Sequence, residues 1–228
     1  MTRIDLISAV PDLLESPLNT SILKRAQTKG LVEIHIHNLR DHAHDKHRMI
    51  DDKPFGGKAG MVLKPEPFYE CITRLKSERE YDAIIYPSPR GKLFSQKDAN
   101  RLSLCKNILF VIGHYKGIDE RVYQMFPGEE ISVGNYVLSG GEIPALLITD
   151  ALIRVIPGVL NDSESALSDS FQDGDIIGAP CYTRPAEFMG VKIPDILLSG
   201  NHEAVEDWKL EKSKELTENW KKINNITE

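Results

Sequence analysis

No apolar run in this chain reaches 18 residues without a charge, so no membrane span is expected. The N-terminal MTRIDLISAV lacks the long apolar core and small-residue cleavage site of a secretory signal. Cysteine is scarce. Cys71, Cys105 and Cys181 are odd in number and widely spaced, which gives no disulfide framework and no CxxC metal spacing and suits a reducing cytoplasm. Neither GxxxxGKS/T nor GxGxxG occurs, which disfavours a nucleotide-phosphate cradle. An excess of basic charge is missing too. At a net charge of −6, binding to a nucleic acid needs a local concentration of Lys and Arg.

Such a concentration exists. Residues 35–53, HIHNLRDHAHDKHRMIDDK, hold five of the seven histidines with Arg40, Lys46, Arg48 and Lys53, a locally basic patch able to meet RNA on an acidic protein. The 228 residues suffice for a main domain plus a small one, with 41% hydrophobic and 27% charged content ordinary for a globular chain.

RIDLISAV and VEIHIHNL (32–39) alternate polar and apolar positions and read as strands, the second with Val32, Ile34 and Ile36 toward the core and Glu33, His35 and His37 opposite. Residues 21–29, closed by Gly30, and 65–80 read as helices, and the polar, glycine-rich stretch 40–62 as a long functional loop. Three units then share one plan: DAIIYPSPRG (82–91), NILFVIGHYKGIDER (107–121) and EEISVGNYVLSGGE (129–142) are each a strand running into a Gly- or Pro-rich loop. Strands alternating with helices predict a mostly parallel α/β sheet, with ligands bound outside the strands' carboxyl ends. A helix over 143–156, with Pro144 in its first turn and Pro157-Gly158 after it, is apolar nearly all round and is expected to be buried in the fold or against another subunit. The predicted organisation is a main domain over 1–160, an acidic, Ser-rich linker over 161–175, and a small C-terminal domain over 176–228 ending in a helix from about 203 to 224.

From the residues alone the motifs stay ambiguous. Gly-rich loops exposing backbone polar groups beside aliphatics suit a flat, weakly charged heterocycle such as adenine, but glycines at strand ends are also plain turn chemistry. HxH at 35/37 with His42, His44 and His47 invites a zinc reading, but the chain offers no clear fourth ligand or Cys, so no metal site is expected. GIDER can be simple helix chemistry, Arg154 can pair with Asp150 one turn before it, and Asp169 can be merely solvated.

Taken together, DKHRMIDDKPFGGKAGMVLKPEP, GHYKGIDER, EISVGNYVLSGGEIPAL, RVIPGVL and YTRPAEFMGVKIPDILLSGNH resemble the bacterial tRNA (guanine-N1)-methyltransferases, the TrmD family, in order and spacing from about residue 3 to 210. The resemblance implies a SPOUT-type α/β fold with a deep trefoil knot and a small, mainly helical C-terminal domain. It implies an obligate homodimer with composite active sites, a tRNA substrate, and S-adenosylmethionine as methyl donor, with room for Mg2+ assistance. The cofactor positions that carry over are Pro87, Ser88, Pro89, Gly91, Gly113, Tyr115, Gly117, Val133, Gly134, Asn135, Tyr136, Val137, Leu138, Gly140, Gly141 and Pro144. Asp169 matches the catalytic base and Arg154 the cation that steadies the purine. His47, Arg48, Asp51, Gly56, Gly57, Lys58, Ser199 and His202 fall at RNA-contacting positions. The implied reaction methylates N1 of the guanine just 3′ of the anticodon, position 37.

The chain departs from the family at several of these places. GRYEG is here GHYKG, with His114 and Lys116; GDY has Asn135 for its acid; GGG is GGK, with Lys58; and Gly178 stands about where the family has an Asp. The alternative is a diverged SPOUT protein that binds the cofactor and RNA with altered substrate or lost catalysis. Retained Arg154, Asp169 and YTRP favour the methyltransferase.

Overall fold

The computed structural model describes residues 1–57, 59–160, 169–172 and 174–225. The chain divides into two compact units, Met1–Asn161 and Asp162–Glu228. Among the described residues, no helix is long and apolar enough to cross a membrane.

The first unit is a three-layer α/β structure. Its strands are β1 (Thr2–Ser8), β2 (Val32–Asn38), β5 (Ala83–Leu93), β6 (Asn107–Val111) and β7 (Glu129–Ser132), with a two-residue pair, β3 (Asp51–Asp52) and β4 (Val62–Leu63), aside from the main sheet. The main sheet has the order β2-β1-β6-β5-β7 and every pairing in it is parallel. Helices α1 (Asp12–Leu18), α2 (Ser21–Thr28), α4 (Gln96–Leu102) and α6 (Glu142–Arg154) cover one face, and α3 (Pro65–Glu78) and α5 (Glu120–Met125) the other.

The period-two alternation of the strands sorts side chains between the two layers. Ile4 and Leu6 of β1, and Ile108 and Phe110 of β6, join Leu14, Leu23, Leu102, Ile148 and Leu152 in one cluster. Ile7, Leu109 and Val111 join Phe68, Ile72, Leu75 and Val122 in the other. Val32 is fully buried, while Ile34 and Ile36 are half-buried against the first cluster, as expected of an edge strand.

Three details differ from the sequence reading. Residues 87–91 are not a loop after a strand: β5 runs on to Leu93, and Pro87 and Lys92 both pair with Ile131 across a bulge. Gly91 sits there because a Cβ would fall 2.3 Å from the Glu130 carbonyl of β7. The short helices α1 and α4 went unread. Pro17 lies inside α1 and masks it, whereas α4 announces itself by a capping box in which the Ser95 N–H donates to Asp98 Oδ2 at 3.0 Å.

His37 is not on an open face. Its Nε2 lies 2.7 Å from Asp5 Oδ1, and the buried Asp5 carboxylate also accepts from Arg3 (2.9 and 3.0 Å) and from the Tyr81 hydroxyl (2.9 Å). Burial by itself would raise the Asp5 pKa, but the hydrogen bonds from His37, Arg3 and Tyr81 outweigh it and hold the carboxyl far below the usual range. A pKa depressed on folding adds stability above the unfolded value, about 3.9, and that stability is lost as pH falls. Thermal melts across pH 3–7 are therefore expected to show the midpoint falling steeply below about pH 4. Asp5→Ala should cost about 3–5 kcal/mol at neutral pH and flatten that acid limb. An unchanged acid limb in the variant would remove Asp5 from this role.

The second unit holds a small hairpin, β8 (Glu187–Phe188) with β9 (Val191–Lys192), and the long helix α7 (His202–Ile223), capped by Asn201 Oδ1 accepting from the Ala204 N–H at 3.2 Å.

Candidate cofactor and RNA site

The carboxyl ends of β5, β6 and β7 surround a cavity of about 250 Å³, in the position where parallel sheets bind ligands. Pro87, Ser88 and Pro89 come from the β5 bulge, Gly113–Gly117 from the loop after β6, and most of Ile131–Pro144 from the segment joining β7 to α6. The last two loops touch through backbone: Gly141 N–H donates to Gly113 O at 2.7 Å, and His114 bridges Gly140. Glycine is demanded at this crossing, since a Cβ on Gly140 would fall 2.3 Å from His114 Nδ1. Gly134 has φ +154°, and the Tyr136 ring folds down onto it, its hydroxyl donating to Val133 O at 2.9 Å.

All the expected cofactor positions line this cavity except two. Gly91 faces the backbone of β7, and Asn135 is exposed outside the lining. The cavity adds His114, Lys116, Tyr123, Ile131, Ser132 and Ser139. Tyr123 had no sequence signal of its own; it enters because α5 packs its ring 4.5 Å from Tyr86. Arg90 braces that wall, bonding Glu130 and Glu120 at 3.0 Å each and lying 4.9 Å from the Tyr123 ring.

Arg154 ends α6 and is half-buried. Asp169, half-buried, belongs to the second unit, where it lines a cavity of about 840 Å³ with Tyr182, Arg184 and Trp208 among others. Ser199 and His202 flank the start of α7 in that unit.

The expected RNA-contacting stretch forms one structured excursion of the first unit. Asp45 accepts from the N–H groups of His47 and Met49 at 2.9 and 2.8 Å, and Arg48 reaches Asp41 at 3.3 Å. Asp51 begins β3, and Gly56 and Gly57, both at positive φ, follow an almost fully exposed Phe55. Lys58 lies outside the described residues, as do 161–168 and 173 of the expected linker. The excursion is stitched to the cavity: Lys116 N–H donates to Met61 O, and Leu63 N–H to Gly117 O, at 3.0 Å each. Two of the histidines address an acid rather than one another. His42 and His44 both meet Glu70 of α3, and these hydrogen bonds hold its carboxyl below the usual range.

A family model described as tRNA (Guanine-1)-methyltransferase TrmD matches residues 2–224, further along the chain than the quoted motifs reach. A tRNA (guanine-N(1)-)-methyltransferase of Bacteroides thetaiotaomicron is 54% identical over 215 residues, 94% of this chain and 95% of that protein. Those of Flavobacterium johnsoniae and Cytophaga hutchinsonii are 54% and 55% identical over 217 and 215 residues, covering 96% and 91% of their own lengths and 95% and 94% of this one. The chain belongs to the tRNA (guanine-1)-methyltransferase family, TrmD.

Proposed function

We propose that the guanine this enzyme methylates at N1 is the one at tRNA position 37, 3′ of the anticodon, and that its methyl donor is S-adenosylmethionine held in the strand-end cavity. The observation that carries the reading is that cavity's construction. Gly113, Gly134, Gly140 and Gly141 bring bare backbone to it, and Val133, Val137, Leu138 and Pro144 supply apolar walls, which suits a purine recognised by backbone polar groups. S-adenosylmethionine, when bound, supplies an electrophilic methyl group on a sulfonium.

The remaining chemistry belongs to the protein. N1 of guanine carries a proton that must leave, and negative charge develops on O6 as it does. Asp169 is the base that accepts this proton, and Arg154 the cation that offsets the developing charge. A carboxylate alone is too weak a base for guanine N1, so the two residues act as a unit. The Asp45–Gly60 stretch, His47, Arg48, Asp51, Gly56, Gly57 and Lys58 in particular, meets the tRNA with the small C-terminal domain (176–228), through Ser199 and His202.

The knot and the dimer are part of the same reading. The β7–α6 segment crossing the β6–α5 loop, with β5 between β6 and β7 in the sheet, supports a knotted chain. Beside the cavity, Tyr115, Tyr136, Val137, Leu138, Ile143 and Leu147 are exposed, an apolar face of the kind that pairs with a second copy.

Purified unmodified tRNAs incubated with enzyme and methyl donor should yield 1-methylguanosine at position 37, identified by mass spectrometry of the digested product. Methylation at another nucleotide would overturn the assignment. Arg154→Ala should lower kcat about 10²-fold with little change in cofactor affinity, because the charge it meets exists only in the transition state. A retained rate with a lowered thermal midpoint would instead make Arg154 structural.

A further inference from the structure

Glu142 opens α6 next to Gly141 of the cavity lining, and is only 1% exposed. A carboxylate withdrawn from water needs partners, and the first-turn position of a helix supplies only part of the compensation. Two side chains serve it. Ser8 Oγ donates to Oε1 at 2.9 Å, and His114 Nδ1 lies 3.2 Å from Oε2. Among the described residues no Lys or Arg pairs with it. Gly140 makes the arrangement possible, because a Cβ there would fall 2.3 Å from both Glu142 Oε2 and His114 Nδ1.

With Nδ1 turned to Glu142, the other nitrogen of His114, Nε2, lies on the opposite edge of a ring that lines the cavity. An imidazole that donates Nδ1–H to a carboxylate offers a lone pair at Nε2, and the carboxylate makes that lone pair a stronger acceptor. The cavity wall thus carries an imidazole whose far edge is backed by the buried Glu142 side chain. The acids that the family resemblance places nearby are absent: position 116 is Lys, and position 135 is an exposed Asn outside the lining. The Lys116 stem lies along Gly60, which draws it toward the RNA-side excursion.

We infer that His114 holds the α-ammonium of the methyl donor's amino-acid end, and that Glu142 acts through it as a positioning residue. The inference rests on the cofactor reading above. It replaces a direct carboxylate–ammonium contact by a carboxylate–imidazole–ammonium chain.

Titration calorimetry with S-adenosylhomocysteine and with its analogue lacking only the amino group tests it. Wild type should prefer the amino compound by about 10-fold or more, as a hydrogen bond to a charged group warrants. His114→Ala should abolish the preference by weakening the amino compound alone. Glu142→Gln should reduce it, and the double variant should be no worse than His114→Ala, since both residues act through one contact. His114→Ala removes a partly exposed ring and carries the test even if Glu142→Gln lowers the thermal midpoint too far for use. A preference that survives in His114→Ala, equal weakening of both ligands, or a wild type with no preference overturns the inference while leaving the cofactor site in place. Wild type that binds neither ligand overturns the cofactor reading and this inference with it.

Discussion

Asp169→Asn is expected to cut methyl transfer by about 10²-fold or more while leaving cofactor binding intact, the loss typical of removing a general base. The change is isosteric, so it removes the charge and the proton acceptor while keeping the side chain's size. The local structure is built to hold this position. Phe171 N–H donates to Ile176 O at 2.7 Å, and Ser170 Oγ accepts from the Gly178 N–H at 2.9 Å. Phe171 packs its ring 5.3 Å from Trp220, and Ile177 N–H donates to Thr217 Oγ1 at 2.9 Å, both on α7. An Asp on a segment so anchored keeps its place when its charge is removed. The test is single-turnover kinetics beside calorimetry with S-adenosylhomocysteine. Near-normal turnover, or loss of cofactor affinity in step with rate, would take Asp169 out of the mechanism.

What was legible in the sequence follows from which forces are local. The strands β1, β2, β6 and β7 and the helices α2, α3, α6 and α7 are legible from their apolar patterning and from the Gly and Pro residues that bound several of them, which are local signals. The Pro87–Gly91 bulge does not, since Pro and Gly read as a turn unless β7 is known to pair on both sides of it. The cavity's position was legible from the three strand–loop units, but the roles of its residues only as a family pattern. Nothing local marks Tyr123, which joins the cavity by packing, or Glu142, which reads as a first-turn helix residue although it contacts Ser8 across the fold. His114 was visible as a departure from GRYEG, but its pairing with Glu142 depends on the missing Cβ of Gly140, a relation that only the crossing of two loops creates.

The second large effect is expected at Gly134. Its φ of +154° is one that residues with side chains rarely adopt, and a Cβ would fall 2.2 Å from the Tyr136 ring. The ring could swing aside, but the backbone would still carry strain of about 1–3 kcal/mol, relieved only by moving the loop. Gly134→Leu should therefore abolish measurable cofactor binding and lower activity by about 10²-fold or more. Paired with Asp169→Ala, this variant also tests the shared site. If the cavity of one subunit works with the Asp169 of the other, each homodimer is inactive, yet in a mixed dimer one composite site carries both lesions and the other neither. Random reassortment makes about half the dimers mixed, so about a quarter of wild-type sites should return on co-expression. The two chains must be made together, because the knotted obligate dimer proposed above would exchange subunits poorly. Background activity in verified heterodimers would mean that each subunit supplies its own base to its own cavity.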